Sequence, residues 1–151
     1  MQDQTVYGWY EQYKVGLFRF ALSILKDVHL AEDALQEAFV RLLAQNRLPD
    51  SQKAQAWLYR VVRNICYDIL RQKKRESGES ATAAAPTPGN WEFIELISPL
   101  SQKELEILAL SFIAGFTHKE IAHITGMSVH SAKKRYERAI QQLRTEMEVS
   151  T

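Results

Sequence analysis

The fold is decided by residues 117–144, THKEIAHITGMSVHSAKKRYERAIQQLR. Thr117 and Glu120 have the Ser/Thr-x-x-Glu spacing of a capping box, which predicts a helix that begins directly after Thr117. Gly126 is the residue type that adopts a positive φ at little cost, so the first helix should end there. Ser128 is a suitable N-cap for a second helix. Two helices separated by a short glycine turn are therefore predicted.

The second of these helices has one apolar face and one basic face. Apolar residues recur every three to four positions, as expected for the buried side of a helix: they are Ala132, Tyr136, Ile140 and Leu143. The other face carries His130, Ser131, Lys133, Lys134, Arg135 and Arg138. A helix, a glycine turn and a basic second helix form the helix-turn-helix pattern, whose second helix enters the major groove of DNA. Any amphipathic hairpin with a solvated basic face shows the same periodicity, so the rest of the chain has to decide between the two.

Charge and cysteine content limit the classes of function. The chain has 151 residues and a net charge of only +1, so a nucleic-acid site must come from local clustering of basic residues. Cys66 is the only cysteine, which excludes an internal disulfide and a cysteine-based metal site, and it is expected to be a small core residue. No signal-peptide core and no apolar run near the ~20 residues that cross a bilayer is present, so a cytoplasmic protein is expected.

The whole chain is predicted to be all-α, with two small helical domains joined by a flexible linker. Residues 1–76 show helical periodicity without strand-like alternation. Residues 77–90, SGESATAAAPTPGN, have the composition of a flexible linker. The helical pattern resumes over residues 91–151, which contain the helix-turn-helix.

Further helices are predicted on both sides of the linker. Those of the first domain should span about 5–25, 29–45 and 53–74, with Asp27 as an N-cap and a break at Pro49. Their expected core residues are Tyr10, Tyr13, Val15, Leu17, Phe18, Ala21, Leu22, Leu25, Leu35, Ala38, Phe39, Leu42, Leu43, Trp57, Leu58, Val61, Val62, Ile65, Ile69 and Leu70. The second domain should begin with a short helix over 91–97 and a longer one from Ser101 to about Ala114, which Gly115 ends. The expected core residues of the longer helix are Leu105, Leu108, Ala109 and Phe112.

Two surfaces of the first domain suggest binding. Acidic and amide side chains near the start of the second helix, Glu32, Asp33, Gln36 and Glu37, could simply favour the helix dipole or could form a docking surface for a basic partner. The third helix carries Arg60, Arg63, Asn64, Arg71, Lys73, Lys74 and Arg75, interleaved with Trp57, Tyr59 and Tyr67. Cations that follow phosphates and aromatic faces that stack on bases suit a single-stranded nucleic acid. The alternative is that the aromatic residues are core, which is the more common role for Trp57.

Both halves together resemble a sigma factor of bacterial RNA polymerase, of the extracytoplasmic-function (ECF) type of the sigma-70 family. The second conserved region of that family resembles DVHLAEDALQEAFVRLL, residues 27–43, and AWLYRVVRN, residues 56–64. The fourth region resembles LSQKELEILALSFIAGFTHKEIAHITGMSVHSAKKRYERAIQQLR, residues 100–144. The two segments in this order, with a linker between them, are far more specific than a helix-turn-helix alone.

The resemblance implies a role for each surface. Glu32, Asp33 and Gln36, with Asp27 nearby, match the surface that binds the β′ coiled coil of core polymerase, and the β flap is a further implied contact. Arg60, Arg63 and Asn64, with the loop over residues 46–56, match the part that reads and melts the minus-ten promoter element. The helix that reads the minus-thirty-five element matches His130, Ser131, Lys133, Lys134, Arg135 and Arg138. Of these, Arg135 and Arg138 are expected on phosphates and the other four at base edges. An anti-sigma factor is also implied as a partner.

The recognition helix departs from the family pattern at its start. Family members often have Gly-Thr where this chain has His130 and Ser131, and a serine where it has Lys134. An unusual minus-thirty-five sequence is therefore expected.

Two other classes of function were weighed against this one. A conventional helix-turn-helix regulator that binds duplex DNA as a dimer would leave the acidic surface and the segment 57–64 unexplained. An enzyme is disfavoured because His29, His118, His123 and His130 share no ligand spacing with a carboxylate cluster, and because no phosphate-binding loop or nucleophile motif is present. No catalytic residue, metal, cofactor or small-molecule substrate is expected.

Overall fold

Regular structure in residues 2–77 and 100–150, the part of the chain that the computed structural model describes, consists of α-helices alone. The helices are α1 (Gln2–Leu25), α2 (Val28–Leu43), α3 (Ser51–Ser77), α4 (Gln102–Phe112), α5 (His118–Thr125) and α6 (Val129–Ser150). The chain divides into two compact units, Met1–Ala85 and Pro86–Thr151. The predicted all-α fold of two helical domains, the second with a helix-turn-helix, is confirmed. The predicted linker beyond Ser77 and the short helix over 91–97 lie outside the described residues.

Helices α1, α2 and α3 pack around one apolar core in the first unit. Leu17 and Phe20 of α1, Leu42 of α2 and Leu58 of α3 are fully buried. Phe20 also contacts Tyr59 of α3, with 5.3 Å between the ring centroids. The burial of these large side chains supplies most of the stabilisation, since each contributes roughly 1.5–3 kcal/mol relative to exposure.

A tight connection joins α1 to α2. Lys26 adopts a left-handed φ of 55°, which ends α1. The Asp27 carboxylate then accepts a hydrogen bond from the Leu30 N–H at 3.0 Å, as predicted for an N-cap. This cap fixes where α2 begins and therefore which of its faces is turned to solvent.

The helices of the second unit end and begin where the sequence predicts. Ser101 caps α4 by accepting from the Glu104 N–H, and Gly115 follows that helix with a φ of 73°. Thr117 and Glu120 form both hydrogen bonds of the capping box at the start of α5. Gly126 ends α5 in the left-handed conformation, with a φ of 77°.

Several predicted core positions are wrong. Val15, Leu43 and Phe112 are 54%, 54% and 65% exposed. Val15 precedes the fully buried Leu17 by two residues, which places it about 200° around the helix from that side chain. Leu43 follows the buried Leu42 and is rotated by about 100° toward solvent. Phe112 is the last residue of α4 and stacks on Tyr136 from the solvent side, with 6.5 Å between the ring centroids.

The core also includes residues that the sequence did not predict. They are Val6, Trp9, Phe20, Ile24, Ala31, Ala34, Ala54, Tyr59, Leu100, Ile107, Leu110, Phe116 and Ala139. In addition, α3 begins at Ser51, so the loop predicted over residues 46–56 is shorter and its second half forms the first turns of that helix. Cys66 is fully buried, as predicted.

Candidate protein-binding and DNA-binding surfaces

The exposed face of α2 presents carboxylates near its start. Glu32, Asp33 and Gln36 are exposed, and Ala31 and Ala34 are buried on the opposite side. Within residues 2–77 and 100–150, no ion pair involves Glu32 or Asp33. Their negative charges are therefore available to a basic partner.

The two other acidic residues of this region have partners of their own. Asp27 is half-buried, and its carboxylate is the N-cap of α2. Glu37 forms an ion pair with Arg41, at 3.2 Å between Oε1 and Nε. Of the residues predicted to bind the polymerase, Asp27 thus has a structural role as well.

An apolar pair continues the exposed face of α2. Val40 and Leu43 are 58% and 54% exposed. With a rotation of about 100° per residue, Val40 lies within about 40° of Gln36 and one turn further along the helix. The sequence pattern does not reveal this pair, because it predicts Leu43 in the core and assigns no role to Val40. Its exposure adjacent to the carboxylates gives the face an acidic half and an apolar half.

Helix α3 brings the predicted minus-ten residues to one face. Arg60 and Asn64 are exposed and Arg63 is half-buried. The Arg63 guanidinium lies over the ring of Tyr67, with 4.9 Å from Cζ to the ring centroid. One turn later Arg71 forms an ion pair with Asp68, which reduces the net positive charge of this segment.

Tyr59 does not belong to that face. It is 1% exposed and packs on Phe20, so its ring is not accessible for stacking on a base. Burial raises the pKa of the Tyr59 hydroxyl well above its ordinary value, since the charged form would be desolvated. The hypothesis that Tyr59 lines a nucleic-acid groove is wrong, whereas Trp57 and Tyr67 are partly exposed.

The basic face of α6 is turned to solvent. Ala132 and Ala139 are fully buried on the opposite side. The predicted DNA-contacting residues are exposed except for Arg135, which is half-buried: the exposed ones are His130, Ser131, Lys133, Lys134 and Arg138. The face therefore presents three freely accessible cations and a histidine.

Ser131 is in part committed to the start of α6. Its backbone N–H donates to the Ser128 Oγ at 3.1 Å, and the Ser128 hydroxyl donates to the Ser131 Oγ at 3.0 Å. A base contact by Ser131 would have to use the remaining hydrogen-bonding capacity of its hydroxyl.

Neither a metal centre nor a bilayer-spanning helix is found in the described ranges. Over residues 2–77 and 100–150, no three histidine, cysteine or carboxylate side chains are grouped so that they could hold a metal ion. None of the helices in those ranges has both the length and the apolar character needed to cross a bilayer.

The two helical units match two conserved regions of one protein family. The family models "Sigma-70 region 2" and "Sigma-70, region 4" match residues 9–76 and 96–145. The ECF RNA polymerase sigma factor SigM of Bacillus subtilis is 33% identical over 152 residues, covering 93% of each chain. The chain belongs to the ECF group of the sigma-70 family of RNA polymerase sigma factors.

Solved structures share this fold. The sigma factor RpoE of Bartonella quintana, solved in complex with the anti-sigma factor NepR, has a TM-score of 0.76 at 24% identity and covers 95% of this chain and 99% of its own. CnrH, solved in complex with the cytosolic domain of CnrY, has a TM-score of 0.76 at 20% identity and covers 99% and 91%.

Proposed function

We propose that the chain binds bacterial core RNA polymerase and directs it to a promoter, where it assists DNA melting and the start of transcription. Members of its family are transcription initiation factors, so it acts by binding and not by catalysis. The observation that carries the proposal is the exposed face of α2, where Glu32 and Asp33 have no ion-pair partner among the described residues. A regulator that only binds duplex DNA would leave this face unexplained.

The polymerase contact is proposed to be the β′ coiled coil. Glu32, Asp33 and Gln36 supply the polar half of the contact, and Asp27 holds the helix start in place. Val40 and Leu43 supply apolar area that a partner helix would remove from water, at roughly 25 cal/mol per Å². A second contact is proposed between the other helical unit and the β flap.

The minus-ten element is proposed to bind the exposed face of α3. Arg60, Arg63 and Asn64 are placed there together with the partly exposed ring of Tyr67. Capturing an unpaired base costs a few kcal/mol of unstacking. Cations next to an aromatic ring can offset that cost through phosphate contacts and stacking.

The minus-thirty-five element is proposed to bind α6 through the major groove. Arg138 is exposed at the edge of the DNA-facing side and Arg135 is half-buried beside the core, which suits contacts to phosphates at the rim of the groove. His130, Ser131, Lys133 and Lys134 lie in the first two turns of the helix, where recognition helices reach base edges.

An anti-sigma factor is proposed to control the chain. The two solved structures described above are complexes, one with the anti-sigma factor NepR and one with the cytosolic domain of CnrY. A protein that covered the exposed face of α2 would prevent binding to polymerase. Regulation would then consist of competition for one surface.

Run-off transcription tests the proposal. The chain is added to bacterial core RNA polymerase on a template that carries the promoter upstream of its own operon. Specific transcripts are expected with the unaltered chain and should vanish with the double variant Glu32→Lys, Asp33→Lys. The matched control, Asp3→Lys with Glu148→Lys, makes the same change in charge at exposed positions that are not part of α2 and should keep the transcripts.

Two results would overturn the proposal. If the variant Glu32→Lys, Asp33→Lys still supports transcription, these acidic residues are not needed for docking to the polymerase. Tight binding to duplex DNA without core enzyme, together with no transcripts in its presence, would identify a conventional helix-turn-helix regulator.

A further inference from the structure

One acidic residue, Glu137, lies on the basic face of α6. It is exposed, and the fully buried Ala132 and Ala139 lie on the other side of the helix. With a rotation of about 100° per residue, Glu137 points within about 20° of His130 and about 60° of Lys134. The carboxylate therefore shares the solvent-facing side of the helix with His130 and Lys134.

This carboxylate is not neutralised by its neighbours. Lys133 and Lys134 precede it by four and three residues, a spacing at which side chains on a helix can pair. Glu37 pairs with Arg41, and Glu11 with Lys14, at such spacings. In the described part of the chain the side chain of Glu137 nevertheless forms no ion pair and no hydrogen bond.

A carboxylate at this position restricts what the helix can bind. It repels phosphates, so it weakens the sequence-independent part of DNA binding. In the major groove it is also repelled by the N7 and O6 acceptors of guanine and by the O4 acceptor of thymine. Adenine offers an amino donor, but the N7 acceptor lies directly beside it. Cytosine presents its N4 amino donor with no acceptor on the major-groove edge of the same base.

We propose that Glu137 is a specificity-determining residue that accepts a hydrogen bond from the N4 amino group of a cytosine in the minus-thirty-five element. The inference rests on the proposed promoter recognition by α6. Glu137 acts as much by repulsion of the other bases as by attraction of cytosine, which is a common source of specificity. A neutral side chain at this position would bind more sites and distinguish them less.

Selection from a randomised library of duplex DNA tests the inference. The full chain, assembled with bacterial core RNA polymerase, retains bound duplexes, and their sequences give the preferred base at each position. The unaltered chain should enrich a motif with cytosine at one position. Glu137→Gln should reduce the preference for cytosine at that position by about tenfold and shift it toward adenine, which glutamine can contact at N6 and N7. Glu137→Ala should lose the preference without a replacement.

Matched controls separate this role from a general effect of charge. Glu148→Gln removes the same charge from the same helix, about 16 Å further along, and should leave every base preference unchanged. The positions of the motif that Glu137 does not contact serve as an internal check that each variant folds and binds.

The outcomes distinguish the inference from the proposed function. If the unaltered chain with core polymerase enriches no motif, the proposed promoter recognition fails. If a motif is enriched and Glu137→Gln and Glu137→Ala leave all its preferences unchanged, only the inference is overturned. A change confined to a position that does not prefer cytosine would overturn it as well.

Discussion

The guanidinium of Arg63 lies over the ring of Tyr67, with 4.9 Å between Cζ and the ring centroid. The two residues are four apart, so they occupy successive turns of one face of α3. An arginine held against an aromatic face loses part of its rotamer freedom before any ligand arrives. We therefore expect Tyr67 to position the Arg63 guanidinium, which we propose as a contact to the minus-ten element.

Replacing Tyr67 should therefore weaken DNA binding if the substitution removes the aromatic ring, but not if it keeps the ring. Tyr67→Leu is expected to lower the affinity of the polymerase complex for a single-stranded minus-ten oligonucleotide by about twofold to fivefold, since an exposed cation–π contact is worth about 0.5–1 kcal/mol. Tyr67→Phe keeps the ring and should keep the affinity. Fluorescence anisotropy measures both. Equal losses in the two variants would show that the hydroxyl, and not the ring, matters.

The exposed apolar pair of α2 is expected to contribute to polymerase binding. Val40→Ser with Leu43→Ser should weaken binding to core polymerase by at least about fivefold, the effect of removing roughly 1 kcal/mol at an interface. Tyr7→Ser with Val15→Ser is the matched control, because these side chains of α1 are equally exposed. Titration calorimetry gives both affinities. A similar loss in the control pair would contradict a specific role for α2.

The burial of Tyr59 predicts a pH dependence of stability. Its folded-state pKa is raised above the ordinary 10.0, so the unfolded chain releases this proton first as pH rises. The free energy of unfolding should fall above about pH 10, with a slope of at most ~1.4 kcal/mol per pH unit from this one group. Tyr59→Phe should lack that part of the slope.

Urea denaturation of the two proteins at several alkaline pH values gives the comparison. Only the slopes of the free energy of unfolding against pH are compared, so a loss of stability from the missing hydroxyl that is the same at every pH has no effect on the result. Parallel curves for the two proteins would show that Tyr59 is accessible to water, and would restore it as a candidate for stacking on a base.

The turn of the helix-turn-helix requires glycine because of its backbone conformation, and not because a side chain would lack space. A Cβ atom at Gly126 would meet no atom within 4 Å, but the residue has a φ of 77°. Gly126→Ala should therefore destabilise the protein by about 1–2 kcal/mol, the cost of the left-handed conformation for an L-residue. Gly8→Ala, in the interior of α1 and equally free of close contacts, should instead stabilise it by about 0.5–1 kcal/mol. Thermal unfolding of the two variants measures the contrast, and shifts of the same sign would refute it.

Sequence patterns predicted most accurately the structural features that depend only on residues close to one another in the chain. The capping box of Thr117 and Glu120, the N-cap at Asp27 and the left-handed Gly126 are local arrangements, and all three are confirmed. The sequence also predicts the basic side chains of α6 on its exposed face, because the apolar residues Ala132, Tyr136, Ile140 and Leu143 mark the opposite side.

The sequence predicted the burial of a side chain wrongly where that burial depends on contact with another helix. Tyr59 lies toward the edge of the apolar face of α3 and is covered because Phe20 of α1 reaches it. Periodicity within α3 contains no information about the reach of α1. Conversely, Val15 and Leu43 are apolar residues left in solvent, which composition cannot distinguish from core residues. The roles assigned to individual surface residues stay predictions for the same reason, since they depend on partners.

The alanines beneath the recognition helix set the distance at which it stands from the rest of its domain. Ala132 and Ala139 have no exposed surface and are separated by about two turns, so α6 approaches its support closely at these two points, and Tyr136, Ile140 and Leu143 pack against the core beside Ala139. A larger side chain at either point would lift the helix and alter its reach into DNA. Side chains on the outer face carry no such constraint. Exchange of outward-facing residues would therefore change the chemistry that the helix presents without changing its height above its support.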